Sequence, residues 1–260
     1  TEEIALIFQE YFKSSFLAWP SPYDSTTSSS YLAALDNVTA LDRLNELDLS
    51  SMQRTTLTAF IEVCSHNTIA NTSYIEIMRW FALSGHNLPA LLESIGTYKL
   101  REGSASLINT MANDARADIR LSTKVTRIDN TPSEVRVTTD TGEVFTARNA
   151  IVTIPMNVIN QVDFEPSLSK SRTDAALEKH AGEGFKALLI AKGNLRRFWC
   201  CSKSSDCPLI SVSNYHYGEN ESVLIAYGYP HEPIDFSDKH QMQVWMRHFF
   251  SGIEILKSLG

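Results

Sequence analysis

Apolar residues recur at helical spacing through most of the first hundred positions of the chain. Ile4, Ile7, Phe8 and Tyr11 would form one stripe on a first helix. Pro20 predicts the end of that helix, because proline lacks an amide donor and restricts the residue before it. Further helical patterns lie at 41–47, 51–64 and 75–81. This part of the chain is therefore predicted to be a helical bundle or cap.

Shorter alternating patterns follow in the middle of the chain. The segments 125–128 and 135–139 alternate apolar and polar residues, which predicts two strands. The tetrapeptide DTGE at 140–143 has the turn chemistry of a β-hairpin. The apolar run 150–154, which Pro155 ends, predicts another strand.

The last third of the chain mixes both kinds of pattern. A continuous apolar run at 187–191 predicts a buried strand, and 209–212 and 223–227 also have strand composition. The segment 241–259 has the spacing of a helix. Helices first, strands next and a mixture last predict an α+β fold rather than a regular βαβ repeat.

Composition and charge exclude some classes of function. The chain has 260 residues, of which 43% are hydrophobic, and this is enough for a sizeable core in one large domain or two small ones. Lys and Arg number 23 against 30 Asp and Glu, and the net charge of -7 disfavours a nucleic-acid partner. No apolar run reaches the roughly 18 residues of a membrane span. Four cysteines are too sparse for a disulfide framework, so we expect an intracellular protein, cytoplasmic or peroxisomal.

The common catalytic signatures are missing from the sequence. It contains no G-x-G-x-x-G loop, Walker loop, nucleophile elbow or H-E-x-x-H motif. The tightest cysteine group is Cys200, Cys201 and Cys207, but adjacent thiolates are a poor chelating geometry for one tetrahedral ion. We therefore expect no metal site.

Lys186 is the side chain whose position is hardest to explain by packing alone. It lies directly before the apolar run 187–191. An ammonium group inside a buried strand is costly unless it is paired or reaches ordered water, and such a lysine would have a functional role. Alternatively, Lys186 lies at the solvent end of the strand and extends its amine into water. The pattern alone leaves both interpretations open.

Several short segments, taken in order, resemble the middle of flavin-containing monoamine oxidases. These are YKLREGSASL at 98–107, LSTKVTRI at 121–128, ARNAIVTIP at 147–155, VDFEPSL at 162–168 and EGFKA at 183–187. The segment EIMRW at 76–80 is most similar to the fungal branch of that family. Each segment is short, but their order and spacing together are fairly specific.

The resemblance implies a division of the chain between two domains. Residues 1–100 and 176–260 would belong to the substrate domain, a mixed sheet with flanking helices. Residues 101–175 would be a β-rich segment of a Rossmann-like FAD-binding domain whose dinucleotide loop is missing from this sequence. We therefore expect the chain to be a central portion of such an enzyme, which by itself neither binds FAD tightly nor turns over.

The resemblance also implies a site. Val125 matches the position whose backbone N–H and C=O contact the FAD adenine, and Lys186 matches the lysine that holds a water molecule against flavin N5. The implied reaction oxidises a small-molecule amine to an imine and then an aldehyde and ammonia, while oxygen is reduced to hydrogen peroxide. Where the family usually has two glycines, this chain has Glu102 and Gly103, which adds a negative charge near the expected cofactor.

Two other functions stay open. A truncated, catalytically inactive relative would keep the fold as a binding or interaction module. A polyamine oxidase or an amino-acid oxidase would share much of the architecture, and an amino-acid oxidase needs a cation for the substrate carboxylate. Arg79 and Arg101 are the candidates for that cation.

Overall fold

The computed structural model describes residues 2–24, 30–179, 182–202, 206–229 and 234–259. The chain divides into two compact units, one formed by 1–98 with 182–260 and the other by 99–181. The segment 101–175, which the resemblance assigns to the flavin domain, lies inside the second unit. Among the described residues, none of the helices combines the length and the apolar character that crossing a bilayer requires.

The predicted patterns at 41–47, 51–64 and 75–81 each form a helix, but the first helix ends at Tyr11 rather than at Pro20. The described part of the first hundred residues contains seven α-helices. They are α1 (Glu2–Tyr11), α2 (Ser15–Ala18), α3 (Ser30–Leu35), α4 (Ala40–Asn45), α5 (Ser51–Ser65), α6 (Tyr74–Leu83) and α7 (Leu88–Gly96). Capping boxes explain where α4 and α5 begin. The Thr39 and Ser50 side chains accept from the amides of Asp42 and Gln53, whose own side chains bond back to the cap amides.

The remaining elements follow in chain order. They are α8 (Ser104–Ala115), β1 (Val125–Asn130), β2 (Val135–Thr139), β3 (Val144–Ala147), β4 (Asp163–Glu165), α9 (Lys170–Leu177), β5 (Phe185–Lys192), β6 (Trp199–Cys201), β7 (Leu209–Tyr217), β8 (Glu221–Gly228), α10 (Lys239–Met246) and β9 (Ile255–Leu259). The α+β class predicted from the order of patterns is confirmed.

The helical part of the first unit is built around aromatic side chains. Phe12 stacks on Phe81 with ring centroids 4.7 Å apart, and Phe8 meets Phe60 edge to face at 4.9 Å. Phe8 lies on α1 and Phe12 directly follows it, while Phe60 and Phe81 lie on α5 and α6, so burying these rings brings the three helices together. Aromatic pairs of this geometry add stabilisation beyond the area that they bury.

The other part of the first unit is a five-stranded sheet in the order β6-β7-β8-β5-β9. All of its neighbouring strands are antiparallel. One face packs on α10, where Met242 and Met246 are buried against Leu189, Val212 and Leu224. This core fixes which side chains of the sheet face the opposite way.

The second unit contains a four-stranded sheet in the order β3-β2-β1-β4. The hairpin predicted at 140–143 joins β2 to β3, and Gly142 takes the positive φ of 83° that this turn needs. The buried core of this unit is small and centres on Ile128, Val135 and Val162. Helix α8 has no buried residue, and Ile108 and Met111 are 65% and 62% exposed.

Two elements predicted in the later part of the chain also differ from the structure. The helix expected over 241–259 ends at Met246, and Ile255–Leu259 is a strand instead. The Gln243 side chain donates to the carbonyl of Ile253 and accepts from the amide of Ile255, both at 2.7 Å, which holds the chain in a reversal. After that reversal the chain finds backbone partners along β5.

The strand expected over 150–154 is not formed either. Ile151 is 91% exposed and Val152 is 40% exposed. Its apolar pattern is typical of a strand, but no strand in the described part of the chain pairs with it. Without a neighbouring strand, the backbone has no ladder to join.

Candidate active site

Strand β5 places its side chains alternately on two different surfaces. Ala187, Leu189 and Ala191 are buried, whereas Leu188 and Ile190 are half-buried and Lys186 is exposed. The apolar run appeared continuous in the sequence because both faces of the strand carry aliphatic side chains. Lys186 therefore belongs to the face that points away from the α10 core.

A row of polar side chains crosses the sheet on that face. In the antiparallel register, Lys186 lies opposite Tyr227, Tyr227 opposite Ser211, and Ser211 opposite Cys201. Directly opposite residues in such a ladder have Cβ atoms about 4.5–5.5 Å apart and project to the same side. The register thus aligns an amine, a phenol, a hydroxyl and a thiol in one line.

Helix α5 covers most of this row. The Cys201 Sγ lies 4.0 Å from the Thr56 Oγ1 near one end of the helix, and the His66 ring meets the Tyr227 ring edge to face at 5.8 Å near the other. The ten steps from Thr56 to His66 rise about 15 Å along a helix. Strands β6 and β8 are two strand spacings apart, about 10 Å, so the helix is long enough to cross from β6 to β8.

Lys186 continues the row and is exposed. The second interpretation of its position, with the amine at the solvent end of the strand, agrees with its exposure. The interpretation with a fully buried ammonium is not what this structure shows, because Lys186 is the second residue of β5 and lies on the face opposite the core. An exposed amine at the open end of a covered surface is available to a water molecule or a ligand.

The covered part of this face is tightly packed. Ser211 is 1% exposed, and its Oγ accepts a hydrogen bond of 2.7 Å from the Trp199 indole. The pKa of the Tyr227 hydroxyl is raised, chiefly because the side chain is buried, and nearby Cys64 adds to the rise. Tyr227 is therefore a neutral donor at physiological pH.

The backbone groups of Val125 are not used in pairing with β2. The Asp140 amide donates to the Lys124 carbonyl at 2.9 Å, while the Thr139 amide donates away from β1 to the Glu143 carbonyl, also at 2.9 Å. Bonded and non-bonded pairs alternate in an antiparallel ladder, so Val125 and Thr139 form a non-bonded pair. The N–H and C=O of Val125 therefore point away from β2.

Among the described residues, no strand pairs with the other side of β1 at that position. Strand β4 pairs with β1 from Arg127 onward, so Val125 lies beyond the end of that ladder. An amide donor and a carbonyl acceptor that face the same way match the donor and acceptor on one edge of an adenine ring. The residues present at Val125 thus fit the cofactor contact.

Glu102, which stands where the family usually has the first of two glycines, does not strain the backbone. Gly103 takes a φ of 79°, a conformation that favours glycine. Glu102 keeps an ordinary negative φ, so its side chain causes no backbone strain. It pairs with Arg101 at 3.8 Å on the surface.

The two arginines considered for a substrate carboxylate are placed differently. Arg101 is 93% exposed beside Glu102. The Arg79 guanidinium lies over the Trp19 ring at 5.4 Å and donates to the Pro22 carbonyl at 3.4 Å. Arg79 is thus engaged within the helical part of its unit.

The cysteines lack the arrangement of a metal centre. Within the described residues, no group of three or more His, Cys, Asp or Glu side chains could hold a metal ion. Cys64, Cys200, Cys201 and Cys207 are free thiols. Burial raises the pKa of each thiol, and that of Cys64 reaches about 12, so these thiols are weak nucleophiles near neutral pH.

Sequence reasoning proposed Lys186 and Val125 as site residues and did not consider Tyr227, Ser211 or Trp199, which share the face of Lys186. The alternation of buried and less buried residues along β8 indicates that Tyr227 lies on one particular face of the strand. Only the register with β5 and β7 shows which residues it meets, and that register joins positions tens of residues apart. A pattern in a single strand carries no such information.

Comparison with known proteins gives a family for most of the chain. Residues 6–239 match the family model described as flavin containing amine oxidoreductase. The chain is 30% identical over 254 residues to pseudooxynicotine dehydrogenase of a Pseudomonas species, covering 96% of this chain and 51% of that protein. It is 25% identical over 256 residues to nicotine dehydrogenase of Pseudomonas putida, covering 98% and 53%.

The chain therefore spans about half the length of these curated relatives. Among solved structures, wild-type putrescine oxidase bound to putrescine superposes with a TM-score of 0.78 at 14% identity, covering 100% of this chain and 61% of that one. This likeness shows the fold. With the match over 6–239, the chain belongs to the family of flavin containing amine oxidoreductases.

Proposed function

We propose that this chain is part of an enzyme that oxidises an amine to an imine with bound FAD. The imine then hydrolyses to an aldehyde or ketone and releases ammonia or a smaller amine. The observation that carries the proposal is Lys186 at the open end of a helix-covered sheet face, in a chain of this family. When bound, the flavin accepts the electrons of the amine and passes them to an acceptor.

Lys186 and Tyr227 supply polar groups to this site. The Lys186 ammonium offers up to three hydrogen-bond donors and a fixed positive charge. Held near the reacting atoms, it orients a water molecule and favours negative charge that develops beside it. Tyr227 adds a neutral hydroxyl on the same face, directly across the ladder.

Apolar side chains on the same face would shape the space for the substrate. The row beside Lys186 runs from Leu188 through Ile225 and Ser213 to Trp199. Its two end members, Leu188 and Trp199, are partly exposed and supply the apolar surface, whereas Ile225 is buried beneath them. An apolar wall of this kind excludes water from the substrate carbon. It suits an amine with a hydrophobic body better than a short polar one.

Amines of the nicotine type are the first substrates to test. Two relatives, each matching nearly the whole chain, are named for nicotine and pseudooxynicotine. A relationship to the fungal monoamine oxidases stays a prediction from the segment 76–80. The polyamine and amino-acid readings also stay open, although Arg79 is engaged with Trp19 rather than available for a carboxylate.

The electron acceptor is the second open point. Oxygen follows from the resemblance to monoamine oxidases. The same two relatives are named dehydrogenases, which favours an acceptor other than oxygen as the alternative. The intracellular location expected from the cysteine content stays a prediction.

The test uses the full-length protein. Purified protein should be yellow and should release FAD on denaturation. Nicotine, a primary amine and a polyamine are then added separately in the absence of oxygen. Only the true substrate should bleach the flavin absorbance. Readmitted oxygen or an artificial acceptor then identifies the preferred oxidant by the faster return of colour. A colourless protein that cannot be reconstituted with FAD would instead support the inactive binding module.

A further inference from the structure

The segment that leads into β5 is tied to the end of α5. His66 caps α5 in the left-handed conformation, with a φ of 51°. Its carbonyl accepts hydrogen bonds from the amides of Glu183 at 2.7 Å and Gly184 at 3.0 Å. Gly184 is two residues before Lys186, so the backbone that carries Lys186 is held by the end of a helix.

Gly184 approaches His66 too closely for any side chain. A Cβ on Gly184 would lie 2.8 Å from the His66 Nδ1 and 3.2 Å from both its Cβ and Cγ. The φ of Gly184 is not in the left-handed region, so glycine is required here for space. The His66 ring is in turn packed edge to face on Tyr227, the residue opposite Lys186.

Tyr229 ties the neighbouring strand to the same helix end. Its hydroxyl lies within hydrogen-bond reach of the carbonyl of Glu62 at 3.1 Å and of the carbonyl of Asn67. Burial raises the pKa of this hydroxyl, so it keeps its proton. Tyr229 follows β8, whose last residue lies opposite the first residue of β5.

We propose that His66, Gly184 and Tyr229 form a positioning unit for the Lys186 amine. The His66 carbonyl and the Tyr229 hydroxyl fix the start of β5 and the end of β8 against α5. Gly184 leaves the space that the His66 ring occupies, so this backbone is not pushed away from the helix end. These three residues are positioning residues, because they act through backbone and ring contacts rather than on the substrate. The inference rests on the proposed role of Lys186.

The experiment follows the Lys186 amine directly in the full-length protein. Lysines are reductively methylated with ¹³C-formaldehyde, and the Lys186 signal is assigned by its loss in Lys186→Arg. Gly184→Ala should shift this signal, because the new Cβ pushes against the His66 ring. The double variant His66→Gly with Gly184→Ala should return it toward the wild-type position, since glycine removes the ring, accepts the left-handed φ and keeps the carbonyl.

Gly96→Ala is the matched control. Gly96 ends α7, and a Cβ there meets nothing within 4 Å. We expect the Lys186 signal to be unchanged in this variant. Tyr229→Phe removes one hydroxyl without new bulk, so it should also shift the signal, and it tests the unit independently should Gly184→Ala fail to fold.

Amine-dependent flavin reduction gives the second readout. Displacement of a catalytic group by about 1 Å can lower a rate by about a hundredfold. We expect Gly184→Ala to lower kcat by about tenfold to a hundredfold with little change in KM, and the double variant to recover most of it. A purely structural contact would lower the amount of folded enzyme without changing kcat per bound flavin.

The two proposals fail separately. An unmoved Lys186 signal in Gly184→Ala and Tyr229→Phe, or no return in the double variant, overturns the positioning unit even in an active enzyme. A Lys186 signal that responds as expected in a protein that no amine reduces supports the positioning unit and overturns the proposed function.

Discussion

Lys186 and Tyr227 face each other across the antiparallel ladder of β5 and β8, on the side of the sheet away from its α10 core. A shift of one residue in this register would turn Lys186 into the core and Ala187 outward. The burial of Ala187 and Leu189 therefore fixes the side on which Lys186 lies. Packing of the hydrophobic core thus determines where the amine of the candidate site is presented.

Val125 should contribute to FAD binding through its backbone. Val125→Ala should leave FAD affinity unchanged within about twofold, because the N–H and C=O remain. Val125→Pro removes the N–H and should weaken FAD binding about tenfold, the value of one hydrogen bond of about 1.4 kcal/mol. Titration of apoprotein with FAD, followed by flavin fluorescence, measures both affinities.

The proline variant is informative because the lost N–H does not pair with β2. We therefore expect the β1–β2 hairpin to persist in Val125→Pro, which circular dichroism checks. Equal FAD affinity in Val125→Ala and Val125→Pro would exclude the backbone contact.

A buried network around the Tyr11 carbonyl should stabilise the helical part of the first unit. This carbonyl accepts from the Tyr74 hydroxyl at 2.7 Å and the Arg43 Nε at 3.3 Å. Tyr74→Phe should lower the free energy of unfolding by about 1 kcal/mol. Arg43→Met should cost about 3 kcal/mol, because the Glu10 carbonyl also loses its donor.

Tyr23→Phe is the control for this pair. The Tyr23 hydroxyl also donates to a carbonyl, that of Leu83 at 3.0 Å, but the side chain is 81% exposed. Its loss should change the free energy of unfolding by less than about 0.5 kcal/mol. Urea unfolding followed by circular dichroism measures the free energy of unfolding of all three variants. Equal losses in Tyr74→Phe and Tyr23→Phe would show that burial of the network adds nothing to stability.

Cys64 should make stability fall at alkaline pH. Burial raises its pKa to about 12 from the ordinary value of 9.0. The unfolded chain therefore releases this proton at a lower pH than the folded one. The stabilisation is complete below about pH 9 and is lost as the pH rises toward 12. Between pH 8 and 10.5, Cys64→Val should show a shallower decline in urea midpoint than the wild type. Parallel declines would mean that the thiol is not desolvated.

Helix α8 should exchange its amide hydrogens faster than α5 in the 260-residue chain. None of its residues is buried, whereas Thr56 to Glu62 of α5 are all buried. In a full-length relative of this family, further chain should cover Ile108 and Met111 and slow the exchange of α8. Hydrogen exchange of both forms by mass spectrometry makes the comparison. Equally fast exchange of α8 in both would show that nothing covers it.

The sequence was most informative where a pattern is local. The stripe through Phe8 and Tyr11 and the helical patterns at 41–47, 51–64 and 75–81 depend on neighbours within a few residues, and α1, α4, α5 and α6 form there. The turn at Gly142 is equally local. The helix predicted over 241–259 was wrong in its second half, because Ile255–Leu259 pairs with β5. Local periodicity carries no information about such a distant contact.

The candidate site depends on contacts that are distant in the sequence. Lys186 was identified by an unusual charge beside an apolar run, and its role came from the resemblance. The row through Tyr227 and Ser211 exists only in the register of three strands. The close approach of Gly184 to His66 joins residues more than a hundred positions apart, and a lone glycine in a sequence does not show its neighbour.

The most direct test of the proposed function is the rate of flavin bleaching in Lys186→Met of the full-length enzyme. Methionine is one heavy atom shorter than lysine, keeps the unbranched apolar stem, and removes the charge and its donors. Stopped-flow measurement with the identified amine, followed by mixing with oxygen or the preferred acceptor, separates the two half-reactions. We predict a folded, FAD-loaded variant in which flavin reduction or reoxidation is slower by about tenfold or more. Wild-type rates in both half-reactions would contradict the role of Lys186.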